Sequence, residues 1–150
     1  MSSLRKFTSI VSEALVCIAY KPLPDEVDPC LLFQRFKCNK KIIVVPRSKE
    51  SDPKKCAEKI ISEVGNKKAI IFLPGSVFDL FGGRKGRGGG WFDRFLVAVP
   101  REWIRVGVCD IDNVSEQKLS LNPWDQKMDW LIIRHGGNFQ IKEARTSLKK

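Results

Sequence analysis

The stretch Pro74-Gly-Ser-Val-Phe-Asp-Leu-Phe-Gly-Gly-Arg-Lys-Gly-Arg-Gly-Gly-Gly-Trp-Phe-Asp-Arg-Phe-Leu96 decides how this chain is read. Six of the eleven glycines lie between Gly82 and Gly90, with Arg84, Lys85 and Arg87 among them. The apolar run Ala69 to Leu73 before it has the length and composition of a buried strand. The segment Trp91 to Val97 after it suits a helix. Strand, glycine-rich basic loop and helix together make an anion site. Glycines let the backbone approach a ligand and adopt positive φ. Loop N–H groups and a helix start direct positive partial charge at a phosphate, and arginines add charged donors.

Two other readings of the run compete. It could be a flexible linker, or an RGG-like segment that orders on RNA. Both are disfavoured by its single copy and by its apolar and aromatic flanks, Val77, Phe78, Phe81, Trp91, Phe92, Phe95 and Leu96. It is not the common P-loop, because no Gly-Lys-Ser or Gly-Lys-Thr occurs.

Outward from this stretch, 150 residues with 43% hydrophobic content suit one domain with a sizeable core. No apolar run approaches a membrane span, and no secretory leader is evident. A soluble, cytoplasmic protein is expected, as a monomer or weak dimer. The five cysteines, Cys17, Cys30, Cys38, Cys56 and Cys109, are odd in number and irregular in spacing, which suits reduced thiols. With His135 the lone histidine, a structural zinc site is not expected. The formal net charge of +10 favours an anionic partner, nucleic acid or a polyanionic small molecule, or simply a solvated surface. The basic tail Lys142 to Lys150 contributes to it.

Along the chain, Ser3 to Leu15 suits a short helix and Val16 to Tyr20 a strand. Asp28-Pro29 starts a helix running to about Lys37, with the aspartate as N-cap and proline in the first turn. Lys41 to Val45 is a strand ended by Pro46. Asp52-Pro53 repeats the helix start, and Gly65 stops that helix. Ile104 to Cys109, Trp130 to Ile133 and Phe139 to Ile141 complete the strands. Helices alternate with continuous apolar strands, which predicts a mostly parallel sheet covered on both faces. Ligands of such sheets bind beyond the carboxyl ends of the strands. The glycine loop and the loops after Val45, with Arg47, and after Cys109 should open on that edge.

The block resembles the 5-formyltetrahydrofolate cyclo-ligase family, also called methenyltetrahydrofolate synthetases. The family pattern is Pro-Gly-x-Ala-Phe-Asp-x-x-Gly-x-Arg-Leu-Gly-x-Gly-Gly-Gly-Tyr-Tyr-Asp-Arg. Pro74, Gly75, Phe78, Asp79, Gly82, Arg84, Gly86, Gly88, Gly89, Gly90, Asp93 and Arg94 match it, and Trp91 and Phe92 keep aromatic rings where it has tyrosines. Tyr20 with Asp25-Glu26-Val27-Asp28, the Val-Pro-Arg ending at Arg47, and Asp125-Gln-Lys-Met-Asp129 resemble further family segments.

The resemblance implies a three-layer α/β/α, Rossmann-like fold and an ATP- and magnesium-dependent ligase of folate metabolism. It implies ATP contacts from Arg84, Lys85, Gly86, Arg87, Gly88, Gly89, Gly90, Trp91 and Phe92, with Arg5 standing in for an N-terminal family arginine. Arg87 would neutralise charge that develops during the reaction. Tyr20, Glu26, Arg87 and Trp91 would contact the folate, and Asp93 and Asp125 would hold Mg2+. Each has a plainer alternative. Asp93 suits a helix first turn paired with a nearby cation, Glu26 a solvated loop, Trp91 and Phe92 core packing, and His135 a surface turn. Two other function classes stay open: a shortened family member that binds nucleotide or folate without turnover, and an RNA-binding protein acting through the Arg/Gly loop.

Overall fold

The computed structural model describes residues 2–36, 41–46, 51–87 and 90–145. Arg47, Cys38, Gly88, Gly89, the expected helix end at Lys37 and the last residues of the basic tail lie outside these ranges. Six strands form the main sheet: β1 (Val16–Tyr20), β2 (Lys41–Val45), β3 (Ala69–Leu73), β6 (Ile104–Asp110), β8 (Trp130–His135) and β9 (Asn138–Glu143). Their spatial order is β2-β1-β3-β6-β8-β9. All neighbours are parallel except β8 and β9, a hairpin closed through Gly136 at φ +63°. Every residue of the inner strands β1 and β3 is buried, as their unbroken apolar runs require. The edge strands differ. Ile42 and Val44 of β2 are exposed, and β9 alternates.

The helices are α1 (Ser3–Glu13), α2 (Pro29–Arg35), α3 (Pro53–Val64) and α4 (Trp91–Ala98). Both aspartate-proline starts form as the sequence predicts. Asp28 accepts the Cys30 N–H at 2.9 Å, and Asp52 accepts that of Lys54 at 2.9 Å. Gly65, at φ +66°, ends α3. Helix α1 stops two residues before the expected Leu15, whose N–H instead donates to the Lys68 carbonyl and leads into the sheet. Phe7 of α1 meets Phe36 beyond α2, and α3 packs on α4. Right-handed crossovers put α2 on one face of the sheet and α3 and α4 on the other. The result is the expected mostly parallel sheet between helices.

The sequence reading missed a second, smaller sheet. Strands β4 (Val77–Asp79), β5 (Arg84–Lys85) and β7 (Val114–Ser115) are ordered β5-β4-β7. The expected single loop is therefore first a hairpin, with Val77 opposite Lys85 and Phe78 opposite Arg84, which the chain leaves at Gly86. This sheet is locked to the main one at Gly107 of β6. A Cβ there would collide with the Phe78 ring, so only glycine lets the ring lie flat on the strand. A short 3₁₀ turn (Ile111–Asn113) and β7 lie on the path from β6 to β8, where no α-helix forms. No helix among the described residues is long and apolar enough to cross a membrane.

Candidate active site

Strand order reverses between β1 and β3. From β1 the chain goes to β2 on one side, and from β3 to β6 on the other. The loops leaving these two neighbours diverge and open a crevice at their carboxyl ends, where ligands of open α/β sheets bind. One wall is the segment after Tyr20, and the other is the glycine loop.

Asp79 builds the second wall from beneath. Its buried carboxylate accepts three backbone N–H groups: Phe81 and Gly83 on Oδ1, both at 2.8 Å, and Leu119 on Oδ2 at 2.7 Å. Gly83 lies so close to it that a Cβ would strike the carboxylate. Gly82, at φ +90°, turns the hairpin in a conformation that side chains rarely adopt. Sequence reading counted Asp79 only as a motif match. The signal for its role was an aspartate three residues ahead of Gly82-Gly83, which suits a side chain that bonds nearby backbone N–H groups in a turn.

Arg84 differs from expectation. Only 3% of its side chain is exposed. Its Nε donates to the Pro74 carbonyl at 2.6 Å, its guanidinium lies 5.4 Å from the Phe92 ring centre, and Nη1 is 3.8 Å from Asp93 Oδ1. It therefore braces the loop from behind rather than facing the crevice. Ser76 closes the loop base, donating from Oγ to the Lys85 and Gly86 carbonyls. Lys85 is exposed on β5. Gly90, at φ +66°, begins α4 without a side-chain cap, which leaves the first-turn N–H groups to other acceptors.

Arg87 joins the two walls. Its Nε donates to Glu26 Oε2 and its Nη2 to Asp25 Oδ2, each at 2.9 Å. Desolvation pulls the Arg87 pKa down, but the hydrogen bonds and charges of Glu26 and Asp25 outweigh it and hold the pKa above the ordinary value. Glu26 is not a free loop acid: its Oε1 also accepts the Leu23 N–H. Tyr20 was expected to touch the folate, yet its ring is buried and its hydroxyl donates to the Val27 carbonyl. It anchors the segment that carries Asp25 and Glu26. No spacing rule links residues about sixty positions apart, so the sequence offered Asp25 only as part of an acidic segment and not as a partner of Arg87.

Trp91 and Phe92 pack inward. Trp91 Nε1 donates to the Ser51 carbonyl, and its ring stacks on Phe95 at 5.5 Å. Phe92 is buried. Arg5 sits exposed near the start of α1, where the next residues, Lys6 and Phe7, meet Glu143 of β9 and Trp130 of β8, and no described contact ties it to the glycine loop.

Asp93 contacts Gln126, the residue next to Asp125 in sequence. The Gln126 N–H donates to Asp93 Oδ1 at 3.1 Å, and Asp125 Oδ2 accepts the Asn122 N–H at 2.8 Å. Buried Arg105 holds Gln126 from the other side, through its Oε1 at 2.8 Å. Burial first, then the charge of Arg101, push Arg105 down to about 10 against the pull of Asp129. Among the described residues no three potential metal-ligating side chains cluster. A nucleotide-borne Mg2+ needs only one or two carboxylates. Asp93 fits that need, since one of its oxygens has no described partner and the side chain stays partly exposed.

The family model for 5-formyltetrahydrofolate cyclo-ligases matches residues 53–134, more than half of the chain. The chain belongs to the 5-formyltetrahydrofolate cyclo-ligase family. The matched span of this cyclo-ligase family member contains α3, the hairpin, the glycine loop, α4 and the Asp93–Gln126 contact. Among solved structures, it is similar to an Aquifex aeolicus 5,10-methenyltetrahydrofolate synthetase at 23% identity and a TM-score of 0.61, over 98% of this chain and 80% of that one. It is also similar to a Mycoplasma pneumoniae 5,10-methenyltetrahydrofolate synthetase at 17% identity and a TM-score of 0.55, over 87% of this chain and 80% of that one. These likenesses support the shared fold. A search of curated protein sequences found no match.

Proposed function

We propose that residues 1–150 form one cyclo-ligase domain that converts 5-formyltetrahydrofolate to 5,10-methenyltetrahydrofolate, with ATP becoming ADP and phosphate. The observation that carries this reading is Arg87, presented at the sheet's switch point by a glycine loop within the family-matched span. In the reaction, ATP phosphorylates the formamide oxygen, the second folate nitrogen attacks that carbon to close the ring, and phosphate leaves with the oxygen. Little of this needs covalent help from the protein. Positioning and charge neutralisation suffice.

In this reading the loop from Gly86 to Gly90 and the open N-terminus of α4 bind phosphate oxygens through backbone N–H groups. Arg87 supplies positive charge held in place by Glu26. Arg84 and Asp79 keep the loop in shape. Asp93, with Asp125 next in sequence to its partner Gln126, holds the Mg2+ that accompanies the nucleotide and lowers the charge on its phosphates. Trp91 and Lys85 border the nucleotide, and Arg5 approaches it from α1.

The test is direct. Purified protein with ATP, Mg2+ and 5-formyltetrahydrofolate should gain the absorbance of the methenyl product and release one phosphate for each product formed. A folded sample that binds nucleotide or folate but yields no product would favour the silent-relative reading.

A further inference from the structure

The two carboxylates on Arg87 are not equivalent. Glu26 is built in: its side chain is 5% exposed, and its second oxygen is fixed by the Leu23 N–H at 3.0 Å. Asp25 is 66% exposed, and its bond to Arg87 Nη2 is the single hydrogen bond its side chain makes among the described residues. An exposed ion pair of this kind is weak and exchangeable, whereas a buried charge cannot lose its partner cheaply. Nε faces the protein, and the Nη2 edge is held by a group that water already reaches.

We propose that Asp25 is an internal competitor for the anion site, and that Glu26 is the positioning residue that keeps Arg87 aimed while Asp25 is exchanged for ligand. This inference rests on the function proposed above. In the free protein the Asp25 carboxylate occupies the Nη2 edge. An incoming phosphoryl oxygen displaces it, and Glu26 stays on Nε and fixes the plane of the guanidinium. The exchange also sets specificity. A ligand carboxylate, such as a folate glutamate, would only replace one singly charged group with another. A phosphoryl group brings more charge and more acceptor oxygens, so it gains from the trade. Arg87 is thereby tuned to the nucleotide rather than to the folate tail.

Calorimetric titration of wild type, Asp25→Asn and Glu26→Gln with MgADP and with pyrophosphate tests this. Asp25→Asn should bind both anions roughly two- to five-fold more tightly, the scale of one exposed ion pair. The gain should shrink as salt is raised, because salt screens the competing pair. Glu26→Gln should bind both about ten-fold more weakly, as expected when a charged hydrogen bond that orients the guanidinium is lost. Unchanged or weaker binding by Asp25→Asn overturns the inference, as does a failure of wild type to bind either anion. If Asp25→Asn tightens pyrophosphate binding while wild type shows no cyclo-ligase turnover, the inference stands and the proposed activity falls. If wild type turns over and Asp25→Asn gains nothing, the reverse holds.

Discussion

Asp79→Ala should lower folding stability by about 3–5 kcal/mol, among the largest effects of any single change in this chain. The carboxylate is buried and satisfies the N–H groups of Phe81, Gly83 and Leu119. Alanine would leave those donors without an acceptor, each at a cost of about 1–3 kcal/mol before relaxation. At roughly 2–4 °C per kcal/mol for a chain of this size, the melting midpoint should fall by about 10 °C or more. Asp79→Asn should fall less, because the amide oxygen can keep two of the three bonds while its NH2 group faces a donor. A melting curve within a degree or two of wild type for Asp79→Ala would show that the hairpin does not depend on the carboxylate.

Arg87→Ala should separate chemistry from folding. Losing a preorganised charged donor costs roughly 2–4 kcal/mol of transition-state stabilisation, which lowers kcat/KM by about 30- to 1,000-fold. A cation in a glycine-rich loop ordinarily packs little, and its removal then hardly touches stability. The ion pairs with Glu26 and Asp25 revise that. Glu26 would lose its cation, and the fold should weaken on the order of 1 kcal/mol. Asp93→Asn makes the comparison. The amide oxygen can keep the Gln126 N–H bond, so stability should change by only about a few tenths to 1 kcal/mol. The Mg2+ concentration needed for half-maximal nucleotide binding should rise. If both variants melt early yet bind ATP normally, the loop is scaffolding and the site assignment fails.

The layers were readable because local physics sets them. Val16 to Tyr20 and Ala69 to Leu73 are too apolar to lie anywhere but in the middle of the sheet. Asp28-Pro29 and Asp52-Pro53 carry their own N-caps, so the starts of α2 and α3 needed no tertiary information. The hairpin was hidden because its strands are two and three residues long, and pairing across a turn rather than periodicity makes them. Strand order was hidden too, so the carboxyl edge was legible but the switch point between β1 and β3 was not. At the site, the glycine loop was legible as a feature, but the direction of each side chain was not. Arg84 and Arg87 are three residues apart in the same basic run. One is buried by Pro74, Phe92 and Asp93, and the other reaches across to Glu26 and Asp25. Which is which depends on partners that the sequence does not place near them.

The turn that leads to Gln126 leaves Trp124 65% exposed, while Trp103 and Trp130 are buried and Trp91 is stacked on Phe95. The chain therefore carries a nearly separable fluorophore. Iodide should quench Trp124 emission and leave Trp103 and Trp130 untouched, and Trp124→Phe should remove most of the quenchable signal. Trp124 sits two residues from the N–H that holds Asp93 and accepts a bond from the Gln126 side chain. Its emission thus gives a label-free optical readout of the turn that steadies the loop helix.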